Sequence, residues 1–429
     1  MHKLFLEHPE ICTDTRNIKA DCLFFALKGP NFNANEFAGK ALELGAAYAI
    51  IDEESHKRSD RYILCPDVLE TLQALASHHR SLSKAKVISL TGSNGKTTTK
   101  ELIHAVISKK YNCIATQGNL NNHIGVPLTL LSIKQDTEMA IVEMGANHKG
   151  EIGFLSALAR PDFGYITNFG KAHLEGFKSL EGVIEAKSEL YDHLIANDKH
   201  IFMNADDGVQ VGKLGNYIKK IGFSTNDPKF YTIGLLGADP YVRLQVEGTQ
   251  IKTQLIGEYN FSNCCAAILM GRYFDVPLRD IREALEGYRP RNNRSQILSV
   301  GDLEVILDAY NANPSSMKAA LENFQKIKAP QKSLILGDMF ELGPTAHQEH
   351  QTLADYIEKL GFDQVMLVGE NFYGTRTKAK KFRSYTDLKE YLSDHPLKKG
   401  SLLIKGSRGM ALERVLDDLG RGGSGSQQK

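Results

Sequence analysis

The clearest chemical signal in the sequence is a glycine-rich loop that ends in a lysine and three threonines. Its sequence is Thr91-Gly-Ser-Asn-Gly-Lys-Thr-Thr-Thr99, and it joins an apolar strand pattern, Lys86–Thr91, to a helical pattern near Thr98–Ser108. Glycines let backbone N–H groups converge on phosphate oxygens, and the start of a helix adds a favourable dipole. The alternative is a glycine turn before an ordinary helix. The residues predicted to bind a nucleotide triphosphate are Gly92, Ser93, Asn94, Gly95, Lys96, Thr97 and Thr98.

Two oxygen-bearing side chains near this loop are candidate magnesium ligands. Thr97 supplies a hydroxyl, and Glu143 lies near the end of the apolar strand pattern Met139–Met144. A carboxylate in such a strand is costly unless it is paired or bound to a metal, and Mg²⁺ prefers hard oxygen ligands. Lys96 is the fixed cation expected to neutralise the β- and γ-phosphates. For Glu143 the alternative is a capping carboxylate on a turn.

A second lysine lies on the apolar face of a predicted helix. Val183, Lys187, Leu190 and Leu194 have the i, i+4, i+7, i+11 spacing of one helical stripe. Burial disfavours the ammonium form, lowers the pKa and leaves a neutral, nucleophilic amine. The alternative is snorkelling, in which the stem packs and the ammonium reaches water.

Composition limits the class of protein. The chain has 429 residues, 52 basic and 51 acidic side chains and 42% apolar residues, which suits about three domains and no general attraction to nucleic acid or anionic lipid. It has no apolar run of membrane-helix length and no signal-peptide pattern. The six cysteines form no CxxC pair, so we expect reduced thiols and a cytoplasmic protein.

The elements that must position these side chains alternate between apolar strands and amphipathic helices. This alternation predicts an α/β fold with mostly parallel sheets. The expected strands before the linker are Cys22–Leu27, Ala47–Ile51, Lys86–Thr91, Met139–Met144, Gly164–Thr167 and His200–Met203. The expected helices there are Glu36–Leu44, Asp67–Leu82, Thr98–Ser108, Phe261–Phe274 and Leu278–Gly287. Antiparallel strands are predicted within Ile218–Ile256.

The segment Tyr288–Arg294 breaks the pattern and is the predicted linker to a smaller Rossmann-like domain. The strands expected after it are Leu303–Leu307, Ser333–Leu336, Val365–Val368 and Leu402–Ile404, and no GxGxxG motif accompanies them. Predicted boundaries are 1–83 for a small N-terminal α/β domain, 84–290 for the central nucleotide-binding domain, 291–420 for the C-terminal domain and 421–429 for a glycine- and serine-rich flexible tail.

Nine segments, in order along the chain, resemble the Mur ligase family. They are TGSNGKTTTKE at 91, GNLNNHIGVPLTLL at 118, EMGANHKGEI at 143, NFGKAHLEGF at 168, AKSEL at 186, GEYNFSNCCAA at 257, DAYNANPSSMKAA at 308, LGDMFELG at 336 and KGSRGM at 405. The segment at 13–37 also resembles the UDP-binding domain of these ligases. YNANP and LGDMFELG are similar to the member that adds D-alanyl-D-alanine.

The resemblance implies a reaction. ATP would phosphorylate the terminal carboxylate of a UDP-N-acetylmuramoyl tripeptide, and the amine of D-alanyl-D-alanine would attack the acyl phosphate to give the pentapeptide. Charge builds up on the phosphates and in the tetrahedral intermediate, so such a site needs cations. Two Mg²⁺ ions, a CO₂-derived carbamate on Lys187, small-molecule substrates and a monomeric enzyme are expected. The third residue of the tripeptide, diaminopimelate or lysine, is left open.

The resemblance also assigns roles to individual residues. His173 and carbamylated Lys187 would hold the second magnesium, beside Thr97 and Glu143, with Lys96, Lys187 and His173 counted as catalytic. Further nucleotide contacts would be Asn260, Asn263, Arg291 and Asp308. The acceptor dipeptide would meet Tyr310, Asn311, Asn313, Ser407 and Arg408, and the UDP-sugar Thr15, Arg16, Asn31, Asn121 and Asn122. The alternatives without ligand binding are N-capping for Asn260, a solvated linker charge for Arg291, a turn-forming role for Asp308 and a surface role for Arg408.

Rival functions of three classes remain open on the sequence. A sister ligase would add a single amino acid, as would a folylpolyglutamate synthase, and YNANP with LGDMFELG argue against both. A P-loop NTPase would turn over ATP without an amine acceptor. A non-catalytic binding module is disfavoured because Lys96, Thr97, Glu143 and Lys187 are all present.

Overall fold

A computed structural model describes residues 1–290, 293–397 and 399–421 of the chain. Helices and mostly parallel sheets alternate through these ranges, which confirms the predicted α/β class. In the described ranges, no helix combines the length and the apolar character that crossing a bilayer requires.

The N-terminal part forms a four-stranded parallel sheet and a short hairpin. Its elements are α1 His2–Glu7, β1 Ile11–Cys12, β2 Leu23–Phe25, β3 Lys28–Gly29, β4 Phe32–Asn33, α2 Ala38–Glu43, β5 Tyr48–Ile51, β6 Tyr62–Leu64 and α3 Val68–Leu82. The sheet order is β1-β2-β5-β6, and β3 pairs with β4. The predicted helix at Glu36–Leu44 begins instead as a 3₁₀ turn, Ala34–Phe37, before α2. Helix α3 begins after Asp67, whose carboxylate accepts the Glu70 N–H at 2.7 Å.

The central part contains a seven-stranded parallel sheet. Its strands are β7 Lys86–Thr91, β8 Cys113–Ala115, β9 Met139–Glu143, β10 Phe163–Ile166, β11 His200–Asn204, β12 Lys220–Ser224 and β13 Tyr231–Thr232. Its helices are α4 Lys96–Ile107, α5 Gly125–Leu131, α6 Glu151–Ala159, α7 Leu174–Phe177, α8 Leu180–Ala196 and α9 Gly208–Leu214. The strand order is β13-β12-β11-β10-β7-β9-β8. Because β7 lies between β9 and β10, the chain turns to opposite sides of β7 there, and ligands of α/β sheets bind at the carboxyl ends of strands at such a point.

The prediction of antiparallel strands throughout Ile218–Ile256 is partly wrong. Strands β12 and β13 extend the parallel sheet, with Phe202 opposite Ile221 and Phe223 opposite Tyr231. Only the strands that follow are antiparallel, in a three-stranded meander of β14 Gly234–Ala238, β15 Tyr241–Val246 and β16 Thr249–Ile256. Alternating apolar residues occur in an edge strand of either kind of sheet, so the sequence pattern did not separate them. Helices α10 Tyr259–Tyr273 and α11 Leu278–Gly287 follow.

The C-terminal part forms a six-stranded mixed sheet. Its elements are β17 Gln296–Val300, β18 Asp302–Asp308, α12 Pro314–Lys326, β19 Lys332–Gly337, α13 Ala346–Leu360, β20 Gln364–Val368, α14 Glu370–Tyr373, β21 Lys380–Phe382, α15 Tyr385–Asp394, β22 Lys399–Lys405 and α16 Val415–Arg421. The order is β17-β18-β22-β19-β20-β21, and β17 alone runs antiparallel to its neighbour. All four predicted strands are present. The edge strands β17 and β21 were not predicted: β17 lacks a buried residue, and β21 is a three-residue strand with two lysines.

Candidate active site

The glycine-rich loop at residues 91–99, called the phosphate loop from here on, leaves β7 at Thr91 and enters α4 at Lys96. Two of its glycines have left-handed backbone conformations. Gly92 has φ 145° and Gly95 has φ 79°. A Cβ on Gly92 would lie 1.9 Å from Thr167 Oγ1, and one on Gly95 would lie 2.7 Å from Asn263 Oδ1. Both positions therefore require glycine on backbone and steric grounds.

The loop is held in place by the segment that follows β10. Asn168 Oδ1 accepts the Asn94 N–H at 3.1 Å, and its Nδ2 donates to Asn94 O at 2.9 Å. Ser93 Oγ accepts the Gly170 N–H at 2.9 Å. Asn168 was not singled out from the sequence, although it opens the NFGKAHLEGF segment directly after a predicted strand. Its side chain gives the loop a fixed shape before any ligand binds.

Lys96 folds back onto its own loop. Its Nζ donates to Gly92 O at 2.7 Å, and burial lowers the pKa of the amine, opposed by the nearby carboxylate of Glu143. A partly buried cation held only by backbone carbonyls can exchange them for phosphate oxygens at little cost.

Glu143 lies at the carboxyl end of β9 and is 1% exposed. Its Oε1 accepts hydrogen bonds from Thr97 Oγ1 at 3.2 Å and from Asn121 Nδ2 at 2.7 Å. Its Oε2 is buried without a hydrogen bond, 3.7 Å from Lys100 Nζ. An orphaned carboxylate oxygen beside a threonine hydroxyl suits a hard cation such as Mg²⁺. Within the described ranges, no three His, Cys, Asp or Glu side chains form a cluster that could hold a metal, so other oxygens would have to complete such a site.

Lys187 lies on the apolar face of α8, as the helical stripe predicted, and its side chain is buried. Val183, Lys187, Leu190 and Leu194 all lie inside the protein, and Lys187 is 1% exposed. Its Nζ donates to Ala146 O at 3.4 Å and lies 5.1 Å from the centre of the Phe177 ring. Burial, reinforced by the charge of Lys96, holds the pKa of the amine well below its usual range. The snorkelling alternative is therefore wrong. Lys187 lies behind Ala146, which lines the cleft described below.

His173 precedes α7 with a left-handed backbone, φ 51°. Its Nδ1 lies 2.6 Å from Oε2 of Glu341, a residue of the C-terminal part, and this contact lowers the pKa of the Glu341 carboxyl despite partial burial. The Glu175 N–H donates to Glu341 O at 3.1 Å. His173 therefore connects the central and C-terminal parts, and only its Nε2 remains to ligate a cation.

Asn260 and Asn263 lie one turn apart on α10, and both are buried. Asn263 Nδ2 donates to Asn260 Oδ1 at 2.8 Å, and Thr99 Oγ1 donates to Asn263 Oδ1 at 3.0 Å. Asn260 Nδ2 donates to Ile256 O at 2.8 Å, from inside a helix that begins at Tyr259. N-capping by Asn260 is therefore wrong.

The opposite wall comes from the C-terminal part and carries three basic side chains beside the carboxylates of Asp308 and Glu341. Lys405 Nζ contacts Asp308 Oδ2 at 2.6 Å. Two guanidinium groups lie over the Tyr310 ring, with Arg294 Cζ 3.7 Å and Arg408 Cζ 5.0 Å from its centre. The Nε of Arg294 is buried without a hydrogen bond. Neither Arg294 nor Lys405 was picked out from the sequence, although the first closes the linker and the second opens KGSRGM.

These walls enclose one cleft of about 810 Å³. Among the residues that line it are Asn94, Lys96, Thr97, Asn121, Asn122, Glu143, His173, Asn260, Asn263, Arg294, Asp308, Tyr310, Asn311, Asn313, Glu341, Lys405 and Arg408.

Several predicted site residues lie elsewhere or are engaged in local structure. Thr15 and Arg16 lie in an exposed 3₁₀ turn where Arg16 pairs with Asp14, and Asn31 lies at the tip of the β3–β4 hairpin. The Ser407 hydroxyl accepts the Phe340 N–H at 2.9 Å. The other such residues are Asn122 and Asn311, whose side chains accept backbone N–H groups of their own loops, and Arg291, which lies outside the described residues.

Comparisons with known proteins agree with this arrangement. The Mur ligase middle domain matches residues 90–271, and the Mur ligase glutamate ligase domain matches residues 293–401. The UDP-N-acetylmuramoyl-tripeptide–D-alanyl-D-alanine ligase of Bacillus subtilis is 34% identical over 423 residues, which cover 95% of this chain and 92% of the relative. The chain belongs to the Mur ligase family.

Solved structures of other Mur ligases have the same fold. MurF from Acinetobacter baumannii superposes with a TM-score of 0.85 at 29% identity, covering 96% of this chain and 93% of the other. MurF from Thermotoga maritima, solved in complex with ADP, superposes with a TM-score of 0.85 at 24% identity, covering 98% and 99%. The likeness extends over all three α/β parts of this Mur ligase.

Proposed function

We propose that this Mur ligase uses ATP to join D-alanyl-D-alanine to UDP-N-acetylmuramoyl tripeptide, giving the pentapeptide precursor of peptidoglycan. The observation that carries the proposal is the single cleft in which the phosphate loop and Glu143 face the basic wall of Tyr310 and Arg408. Relatives named for this reaction match the chain almost from end to end. We also propose domain ranges of 1–83, 84–290 and 291–420 and a monomeric enzyme.

The chain's own groups suit carboxylate activation by ATP. Lys96 and the loop N–H groups bind phosphate oxygens, and Arg294 brings a second cation to the same cleft. We assign the adenine end of the nucleotide to the side of Asn260 and Asn263, the ribose to Asp308 and a phosphate contact to Arg291. Attack of the dipeptide amine on the acyl phosphate then releases inorganic phosphate. The cations offset the negative charge of the tetrahedral intermediate.

For magnesium, Thr97 and Glu143 are the proposed ligands, supported by the orphaned Glu143 Oε2. Bound Mg²⁺ would supply charge neutralisation at the phosphates. We assign a second ion to His173 and Lys187. The neutral Lys187 amine would attack CO₂, forming an N–C bond and releasing one proton, and the resulting carbamate would present oxygen ligands. Burial of the amine supports this assignment.

On the acceptor side, Arg408 is the proposed clamp for the dipeptide carboxylate, because a guanidinium can hold a carboxylate through two parallel hydrogen bonds. Tyr310 and Asn311 line the same wall, and Asn313 and Ser407 shape it through backbone contacts. For the UDP-sugar we keep Thr15, Arg16 and Asn31 on the N-terminal domain and Asn121 and Asn122 on the central one.

Phosphate release separates this function from its rivals. We expect slow ATP hydrolysis alone and strong stimulation only when UDP-N-acetylmuramoyl tripeptide and D-alanyl-D-alanine are both present. Equal turnover without the dipeptide would favour an NTPase. Stimulation by free D-glutamate, lysine or diaminopimelate, each offered with a UDP-N-acetylmuramoyl peptide that still lacks that residue, would favour a sister ligase. Tripeptides ending in diaminopimelate and in lysine, compared directly, identify the preferred third residue.

A further inference from the structure

A direct hydrogen bond joins the phosphate loop to the acceptor-side helix. Asn313 Nδ2, immediately before α12, donates to Asn94 Oδ1 in the phosphate loop at 2.8 Å. The two residues are 219 positions apart in sequence. Asn313 is 8% exposed, so water competes little for this bond.

The hydrogen bonds around Asn313 determine which way its amide points. Asn313 Oδ1 accepts the Ser316 N–H at 2.9 Å, and the Asn313 N–H donates to Ser316 Oγ at 3.1 Å, which is a complete capping box. A backbone N–H can only donate, so the oxygen of Asn313 must face α12 and its Nδ2 must face Asn94. One amide therefore both starts α12 and holds the phosphate loop.

Asn94 has its side chain available for this contact because its backbone is held by other groups. Its N–H donates to Asn168, and its carbonyl accepts from Thr167 Oγ1 at 2.6 Å. The start of α12 packs against the same region, since the Lys171 N–H donates to Ser315 Oγ at 3.0 Å. A movement of the phosphate loop would therefore displace the beginning of α12.

We propose that Asn313 is a positioning residue. It couples nucleotide occupancy of the phosphate loop to the order of the acceptor wall, which is the side of the cleft formed by Tyr310, Asn311 and Arg408. The segment that leads into α12 carries Tyr310 and Asn311, both of which line the cleft. The position of the first turn of α12 therefore determines the positions of these two side chains. The inference rests on the proposed function and gives Asn313 a role different from direct contact with the dipeptide.

The competing explanation is that Asn313 is only a helix cap, and two substitutions separate the roles. Asn313→Asp and Asn313→Ser both keep an oxygen that accepts the Ser316 N–H, because aspartate and serine are good N-caps. Neither can donate to Asn94 in the way the amide does, and serine adds no charge. A plain cap would tolerate both changes.

Kinetics supply the first test. For both variants we expect a KM for D-alanyl-D-alanine raised about three- to tenfold, the equilibrium equivalent of one neutral hydrogen bond. In Asn313→Ser, which adds no charge beside the phosphate loop, the KM for ATP and the thermal midpoint should stay near wild type. Asn94→Ala should raise the dipeptide KM similarly, and the double variant should be no worse than the single ones. Wild-type dipeptide KM in both Asn313 variants, or additive effects in the double variant, would overturn the proposal.

Hydrogen exchange tests the coupling without any ligation. In the wild type, the non-hydrolysable ATP analogue AMP-PNP should slow exchange both in the phosphate loop and across residues 314–326. In Asn313→Ser the loop should still be protected, while protection of 314–326 should fall. Equal protection of 314–326 in both proteins would overturn the inference. Failure of the wild type to ligate the dipeptide would instead refute the proposed function. The exchange experiment does not require ligation, so its result would still test the coupling.

Discussion

Thr97 and Glu143 are 46 residues apart in sequence and meet through a 3.2 Å hydrogen bond from Thr97 Oγ1 to Glu143 Oε1. The contact forms because β7 and β9 are neighbours, with Leu90 opposite Glu143 in register. It leaves the second carboxylate oxygen of Glu143 buried and without a hydrogen bond. Glu143 Oε2 therefore lacks a partner that a bound cation would supply.

Glu143→Gln should weaken magnesium use more than it weakens the fold. The amide has nearly the shape of the carboxylate but lacks its charge, and Lys100 loses its ionic partner. We expect turnover to fall by at least about a hundredfold, the scale of one preorganised charged group, with the magnesium dependence shifted to higher concentration. Phosphate release across a magnesium titration measures both. Glu304→Gln, an exposed change on β18, is the matched control, and an unshifted magnesium dependence in Glu143→Gln would count against the assigned ligand.

Lys96→Ala should remove most activity and leave the fold intact. The Lys96 amine is held by the carbonyls of its own loop, so no core packing depends on it. We expect turnover to drop by at least about two orders of magnitude. Lys86→Ala, at the exposed start of β7, the strand that leads into the loop, should behave as wild type. Near-normal turnover in Lys96→Ala, with an unchanged circular-dichroism spectrum, would contradict the role in phosphate binding.

The sequence predicted the elements that carry the phosphate loop because their patterns are local. An apolar strand, left-handed glycines and a helix start all lie within residues 86–107, and the structure has β7 and α4 there. The place of Lys187 on the apolar stripe of α8 also followed from spacing, but spacing left open whether its amine is buried or reaches water. These features depend on side-chain periodicity, which a single sequence contains.

The contacts between distant segments could not be derived in this way. The bonds of Asn168 to Asn94, and the stacking of Arg294 on Tyr310, depend on how β10 and the C-terminal sheet are placed against β7. A single sequence contains no measure of such long-range proximity. The parallel pairing of β12 was missed for the same reason, since strand direction is set by tertiary connection and not by alternation.

Lys187→Ala should lose most activity, and short carboxylates should restore part of it. The substitution removes the proposed carbamate and leaves space beside Ala146, where a small anion can supply oxygen ligands. Phosphate release with added acetate or formate, against chloride at equal ionic strength, measures the effect. A mass increase of one CO₂ on the Lys187 peptide after chemical trapping is the direct companion measurement. Equal rescue by chloride would argue for a purely structural lysine. So would the absence of any rescue together with a Lys187 peptide that carries no added CO₂ mass.

Lys187→Met should change how thermal stability depends on pH. The folded-state pKa of Lys187 lies well below its usual value of 10.5, so between these two values the unfolded chain binds a proton at Lys187 that the folded chain does not. The free energy of unfolding contributed by this residue therefore rises with pH, and methionine lacks that dependence. In CO₂-free buffer, which keeps the amine unmodified, the thermal midpoint of Lys187→Met should exceed that of the wild type most at about pH 7, and the gap should narrow towards about pH 9.5. Differential scanning calorimetry at several pH values measures the gap. A constant difference across this range would mean that the buried amine keeps its proton, and would remove the neutral nucleophile that the carbamate requires.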